Sequence, residues 1–511
     1  MSSFSEILFH PVVFSLFLAI FLTFFFKQFS KPNGKNNQPP SPKRLPIIGN
    51  LHQVGFYPHQ SLRSMAQKYG PVMLLHFGTA PVIIISTAEA AGLIMKTYDQ
   101  IFSDRPYSSV SARLVYNLKG VAMAPYGEQW RILKTIFVHQ LLSNKKVRDF
   151  CWIREEEIGL MMEKIKGFSH SYTPVNLTEL IMTTAKDIIC RAAFGRKYGE
   201  GKEGDRFRYL FTEFDKLLLT ESIGALIPWL RWIDRVNGFD KRVEELAKEI
   251  DEFLDSMVQE RLEKGHDDDG SSTESGEDFL DILLRIHMDN SRDVSIDRDS
   301  VKASILDVFA AGINTTTALA EWLMSEAIKH PEILKKLQNE VRGILCGRQE
   351  ITENDLEKMI YLKAVIKETL RLHPPSPLLV PRAARQDVEI MGYHVSSGTM
   401  VMINGWAISR DPNLWEKPEE FWPERFLNSD IDFKGKSNFQ FTPFGGGRRG
   451  CPGILFALAT NELMLANLLH KFDWKLPNGA KGEDLDMTEP LKFSSGRKIP
   501  LLALANPVSF S

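Results

Sequence analysis

Residues 300–329 place the strongest constraint on how this chain can fold. They read SVKASILDVFAAGINTTTALAEWLMSEAIK, apolar or small on nearly every face, and His330-Pro331 follows. A helix of that length rises roughly 45 Å, and the residue before a proline resists helical backbone, so the run ends there. A helix apolar all round passes through a core rather than lying on a surface. Residues 147–166, 241–264 and Pro331–Leu345 carry apolar residues at three- and four-residue spacing and are predicted to pack around it. Strand signals are few: Val72–Phe77, 81–86, 388–395 and short ones near the C-terminus. The predicted class is mainly α with a small β-sheet region.

The centre of the long helix is unusual. Ala310-Ala311-Gly312 is followed by Asn314-Thr315-Thr316-Thr317. Small residues let something large lie against the backbone, and helix propensity does not explain three threonines in one turn. Either their hydroxyls bond back to their own turn or they serve a ligand.

Residues 7–26 form a second apolar run, ILFHPVVFSLFLAIFLTFFF, with no acid, Lys or Arg. It is long enough for one bilayer crossing, at about 30 Å. A cleaved signal peptide would have a shorter apolar core, a basic start and a small-residue cleavage site. The expectation is therefore a retained anchor over residues 1–26. Lys27, Lys31, Lys35, Lys43 and Arg44 follow it without an acid among them, which keeps that side cytosolic. Pro39, Pro40, Pro42 and Pro46 stiffen residues 27–46 into a basic hinge, against the alternative of a disordered linker. Residues 47–511 are expected to form the globular body. Sixty-two basic against 64 acidic residues give no case for nucleic-acid binding. Four cysteines are too few for a disulfide scaffold.

One cysteine stands out. Residues 444–453 read FGGGRRGCPG, and a predicted helix follows. A helix N-terminus and two arginines favour the thiolate of Cys451. That thiolate is either a nucleophile, for which no base lies nearby in sequence, or a metal ligand. Gly445, Gly447 and Gly450 also fit G-x-G-x-x-G, but residues 440–444 make a poor strand, which argues against a dinucleotide site.

Taken together, these segments resemble cytochrome P450, the haem-thiolate monooxygenase family. Phe444, Gly447, Arg449, Cys451 and Gly453 match its signature Phe-x-x-Gly-x-Arg-x-Cys-x-Gly. Glu368-Thr369-Leu370-Arg371 matches its Glu-x-x-Arg helix, and Pro423-Glu424-Arg425-Phe426 its Pro-Glu-Arg-Phe segment, in the family's chain order. The chain looks closest to membrane-anchored plant enzymes of the clan that makes specialised metabolites, furanocoumarin synthases among them.

The resemblance implies the cytochrome P450 fold and bound haem b, with Cys451 as the iron ligand. It implies that Trp130, Lys134, Arg382 and Arg449 reach the haem propionates, with Phe444, Gly447 and Gly453 as further cofactor-binding residues. It also implies that Glu368, Arg371 and Arg425 form a buried triad; spacing alone also permits a surface ion pair for the first two. Lys134 stands where the family more often has arginine and loses the planar fork. Thr315 falls on the position whose hydroxyl steers protons to oxygen, with Thr316 beside it. Asn314 departs from the family, which usually has an acid there; an amide cannot relay a proton by ionising. Substrate contacts are expected from Val110, Leu114, Leu306, Phe309, Ala310, Leu378, Leu379 and Phe493, an apolar set suited to a lipophilic ligand.

The implied activity is insertion of one oxygen atom from O2 into a small lipophilic plant metabolite. NADPH electrons would arrive through NADPH-cytochrome P450 reductase, with Arg131, Lys145, Lys146 and Arg448 as docking charges. The implied location is the endoplasmic reticulum membrane, single-pass, with the body in the cytosol. Two rivals stay open: a haem-thiolate dehydratase or isomerase that needs no O2, and a non-enzymatic membrane haem protein.

Overall fold

In the computed structural model the described residues are 15, 37–199, 201–218, 220, 222–267, 277–289, 296–433, 435, 439–490 and 496–509. The expected span at 7–26 and the hinge up to residue 36 lie outside them. The longer helices are α1 (Pro58–Tyr69), α2 (Glu128–Ile136), α3 (Cys151–His170), α4 (Leu177–Phe194), α5 (Lys202–Leu218), α6 (Phe239–Asp267), α7 (Phe279–Met288), α8 (Arg298–Lys329), α9 (Pro331–Leu345), α10 (Ile360–Leu372) and α11 (Ile454–Lys471). The strands are β1 (Val72–Phe77), β2 (Ala80–Ile85), β3 (Val175–Asn176), β4 (Arg382–Ala383), β5 (Val388–Ile390), β6 (Tyr393–Val395), β7 (Met400–Ile403), β8 (Phe472–Lys475) and β9 (Leu502–Pro507).

The apolar run at 300–329 is α8, 32 residues long. Asp297 caps it by accepting from the Ser300 N–H at 2.8 Å. Among the described residues it is the one helix long and apolar enough to cross a membrane, yet most of it is buried inside the protein. Helices α4, α7, α10 and α11 pack along it. Away from its ends, burial lapses at Val308 and from Ala310 to Thr315, the small-residue stretch.

The main sheet has the order β1-β2-β7-β4, with β2 and β7 parallel and the other pairs antiparallel. Val82, Ile83, Ile84 and Ile85 are all buried, so β2 is covered on both faces. A second sheet runs β3-β9-β8.

Two expected elements differ in detail. The strand over 388–395 is a hairpin, β5 and β6, because Met391 and Gly392 turn the chain with φ of 49° and 79°. The helix over 147–166 is two, Asn144–Asp149 and α3, broken at Phe150. Asp278 is the buried cap of α7 in a reciprocal capping box.

Candidate functional site

The loop before α11 is closed on itself. Gly445 N–H donates to Thr442 O at 2.9 Å, Gly450 N–H to Gly447 O at 3.0 Å and Cys451 N–H to Phe444 O at 3.0 Å. Gly447 has φ of 62°, and a Cβ there would sit 2.3 Å from Met95 O and 2.4 Å from the Asp99 carboxylate. Only glycine fits such a position. Phe444, Gly445, Gly450, Cys451 and Gly453 form one wall of an internal cavity of about 320 Å³. Gly447 stands behind that wall.

The Cys451 thiol opens into the cavity. Burial raises its pKa, while the Gly453 N–H and the charge of Lys134 act the other way. Ala311, Gly312, Thr315 and Thr316 of α8 also line the cavity, where the helix loses its burial. The Thr315 hydroxyl donates to Ala311 O at 2.6 Å and that of Thr317 to Ile313 O at 2.8 Å. Back-bonding thus uses the Thr315 proton and leaves its oxygen lone pairs toward the cavity. Asn314 is absent from this wall and turns to α5, where its amide donates to Asp215 at 2.6 Å.

A cluster of cations marks one edge. Trp130 and Lys134 come from α2, Arg382 from β4 and Arg449 from the cysteine loop, and all four line the cavity. Arg449 lies over the Trp130 ring at 4.5 Å and donates to Ser103 O at 2.6 Å. Trp130 Nε1 donates to Val121 O at 3.0 Å, and Lys134 Nζ to Gly450 O at 2.6 Å. Arg382 donates to Gly446 O at 2.6 Å and to Asp99 at 3.2 Å. Sequence reasoning does not single out the buried Asp99, which also accepts from the Arg448 side chain at 2.8 Å. Arg105 joins the cluster; its side chain donates to Ala122 O at 3.0 Å and Pro381 O at 2.7 Å. Its only signal in the sequence is a cation beside Pro106. Burial holds Arg105 well below its ordinary pKa, as does repulsion from Arg449 and Arg382. Lys134 is lowered to about 8, mainly by burial, and Arg449 to about 10 for the same reason.

Asp307 of α8 is a second unforeseen wall residue. It accepts from Ala122 N–H at 3.0 Å, and burial pushes it up to about 7. An acid inside the run ILDVFAAG is the signal that could have found it.

Glu368 and Arg371 of α10 are fully buried together. Arg371 reaches the carboxylate through Nε at 2.7 Å and Nη2 at 2.8 Å, Arg425 through Nε at 3.2 Å, and the Trp422 N–H at 2.8 Å. Arg371 also donates to Ser409 O and Pro418 O, both at 2.7 Å. Trp415 and Phe426 of the segment so anchored meet Phe441, just before the cysteine loop, at 6.3 and 5.2 Å.

Of the expected substrate contacts, Leu379 lines the cavity. Val110, Leu114, Leu306 and Phe309 sit in the main apolar core, with Ala310 packed against it, and Leu378 lies in the core beside β1 and β2. Phe309 is 1% exposed and packs on Phe194, Phe207 and Phe211, outside the cavity wall. Phe493 lies outside the described residues. Val308, Leu319, Ile189 and Phe279 supply apolar wall instead.

The family model for cytochrome P450 matches residues 39–501. The chain belongs to the cytochrome P450 family. It is 51% identical over 504 residues to "Cytochrome P450 736A117" of Prunus mume, covering 97% of this chain and 96% of that protein. It is 46% identical over 477 residues to "Tabersonine/lochnericine 19-hydroxylase" of Catharanthus roseus, covering 93% and 94%. A zebra fish cytochrome P450 solved with abiraterone shares the fold, with a TM-score of 0.74 and 24% identity over 89% of this chain and 100% of that one. As a cytochrome P450, the chain is a haem-thiolate monooxygenase of small metabolites that uses O2 and NADPH electrons delivered by a reductase.

The residues present fit a haem. Four desolvated, mutually repelling cations converge on one edge of the cavity, which suits the two carboxylates of a porphyrin. Among the described residues no three His, Cys, Asp or Glu side chains gather as a metal chelate. The single thiolate of Cys451 suits a metal that brings its own ligand frame.

Proposed function

We propose that this chain is a single-pass, membrane-anchored plant monooxygenase of the endoplasmic reticulum, held by residues 7–26 with its body in the cytosol. It takes electrons from NADPH-cytochrome P450 reductase and inserts one oxygen atom into a small lipophilic specialised metabolite. The observation that carries this reading is the cavity. Cys451 stands in one wall, Thr315 in another, and apolar side chains make up much of the rest.

In this reading Cys451 binds the haem iron and its thiolate donates electron density that favours O–O cleavage. Trp130, Lys134, Arg382, Arg449 and Arg105 hold the propionates. Thr315 accepts and passes protons at its hydroxyl oxygen, with Thr316 beside it. Leu379 and Val308 contact substrate, and the Glu368–Arg371–Arg425 triad fixes the segment behind the cysteine loop.

The test is a panel of plant metabolites added to the purified protein. A true substrate shifts the haem spectrum as water leaves iron, and is then oxidised with reductase, NADPH and O2. Product formed without NADPH or O2 would overturn the reading in favour of a dehydratase or isomerase.

A further inference from the structure

Asn314 leaves the turn Asn314–Thr316 of α8, called the distal turn below, without an ionisable group, but the structure puts one directly against it. The Asn314 amide donates to the Asp215 carboxylate at 2.6 Å, across 99 positions of sequence. Asn314 and Thr315 are consecutive on α8, so the carboxyl is bonded to the residue next to the one whose hydroxyl faces the cavity. Phe207 and Phe211 of α5 clamp that helix on Phe309 of α8, at 5.4 and 5.0 Å, and keep Asp215 in place.

Asp215 has no cation to neutralise it among the described residues. Charged groups on α5 and on the segments packed against it are paired with one another. On α5 itself Glu213 bonds Lys216 at 2.8 Å and also Arg242 of α6. Arg206 of α5 meets Glu252 of α6 at 3.8 Å, and Arg113 meets Asp240 at 2.8 Å. Burial pushes the Asp215 carboxyl up to about 6, and only the Asn314 amide opposes that. Both protonation states are thus accessible near neutral pH. A mere pin between helices needs no charge, since an asparagine would hold Asn314 without the cost of desolvating a carboxylate.

We propose that Asp215 is the ionisable group of the distal turn, standing in across the helix pair for the acid that Asn314 lacks, and that protons reach Thr315 by way of it. The proposal rests on the reading of Thr315 given above. For each oxygen atom inserted, the other leaves as water, which takes up two electrons from NADPH and two protons. Asp215 releases one such proton toward Thr315 and recovers one from solvent, ending each turnover as it began. It is half-buried rather than sealed, which permits that recharging.

The experiment compares full-length holoprotein with its Asp215→Asn, Thr315→Ala and Asp215→Asn/Asn314→Asp variants. The first readout needs no turnover: infrared difference spectra of the ferric protein between pH 5 and 7. They should show a carboxyl band that Asp215→Asn removes and the exchanged pair regains. The second is product formed per NADPH consumed with reductase. Asp215→Asn should lower it by about tenfold or more, with the substrate-induced spectral shift and haem content unchanged, and the exchanged pair should recover it. The exchanged pair keeps one carboxyl and one amide, so it also serves if the single variant does not fold. No Asp215 band, or product per NADPH within about twofold of wild type in Asp215→Asn, overturns the proposal. If Thr315→Ala is coupled like wild type, the reading of Thr315 falls first and this proposal with it.

Discussion

Replacing Glu368 by glutamine tests whether the buried triad supports the cysteine loop. The substitution keeps size and shape but leaves Arg371 and Arg425 facing an amide. Glu368 accepts four hydrogen bonds, two from Arg371 and one each from Arg425 and Trp422 N–H. Glutamine offers one carbonyl oxygen, so it can keep the Oε1 side or the Oε2 side, and its amino group then confronts a guanidinium donor. A hydrogen bond to a charged group contributes about 1.5–3 kcal/mol. Breaking a buried ion pair by removing one partner costs about 3–5 kcal/mol. Arg371 cannot escape to water, because it is fully buried and also tied to Ser409 O and Pro418 O. The expected loss is therefore about 4 kcal/mol, a large share of the 5–15 kcal/mol typical of a domain. Urea unfolding followed by haem absorbance measures it, with haem content per protein as the second reading. Arg425→Lys should cost less, because Arg425 supplies one bond to Glu368 and reaches the Glu416 and Lys417 carbonyls. A Glu368→Gln protein with full haem content and stability within about 1 kcal/mol of wild type would refute the reasoning.

Three further outcomes are expected. Gly447→Ala should abolish haem incorporation, read as holoprotein recovered, because its Cβ would fall 2.3 Å from Met95 O at a φ of 62°. Phe309→Ala should cost about 3–5 kcal/mol of stability yet leave substrate-induced spectral shifts alone, whereas Leu379→Ala should change those shifts at little cost in stability. Asp215 has a folded-state pKa of about 6 against an ordinary 3.8. The folded state therefore binds the extra proton between those values, and wild type loses stability relative to Asp215→Asn as pH rises through them. The gap should approach about 3 kcal/mol at pH 7.5 and shrink toward pH 5, measured by urea unfolding at each pH.

Much of the fold can be read from local pattern. Pro331–Leu345 matches α9 end to end and Val72–Phe77 matches β1, because helix and strand periodicity are local properties. The cysteine loop, the triad and Thr315 carry motifs, so their neighbourhood is foreseeable from residue types alone. What stays hidden depends on tertiary facing. Phe309 is apolar on an apolar helix, and nothing local tells its Phe cluster from the cavity two positions later at Ala311. Asp215 reads as one more acid on an amphipathic helix until α5 is laid on α8. Arg105 becomes part of a cation cluster only when Arg382 and Arg449 arrive from distant segments.

The central claim is that the sulfur of Cys451 binds the iron of a haem. The most direct measurement is the absorption spectrum of the reduced protein under carbon monoxide, for wild type and Cys451→Ser. Thiolate ligation predicts a band at ~450 nm in wild type that Cys451→Ser lacks. Its absence from wild type, or its persistence in Cys451→Ser, would contradict the account.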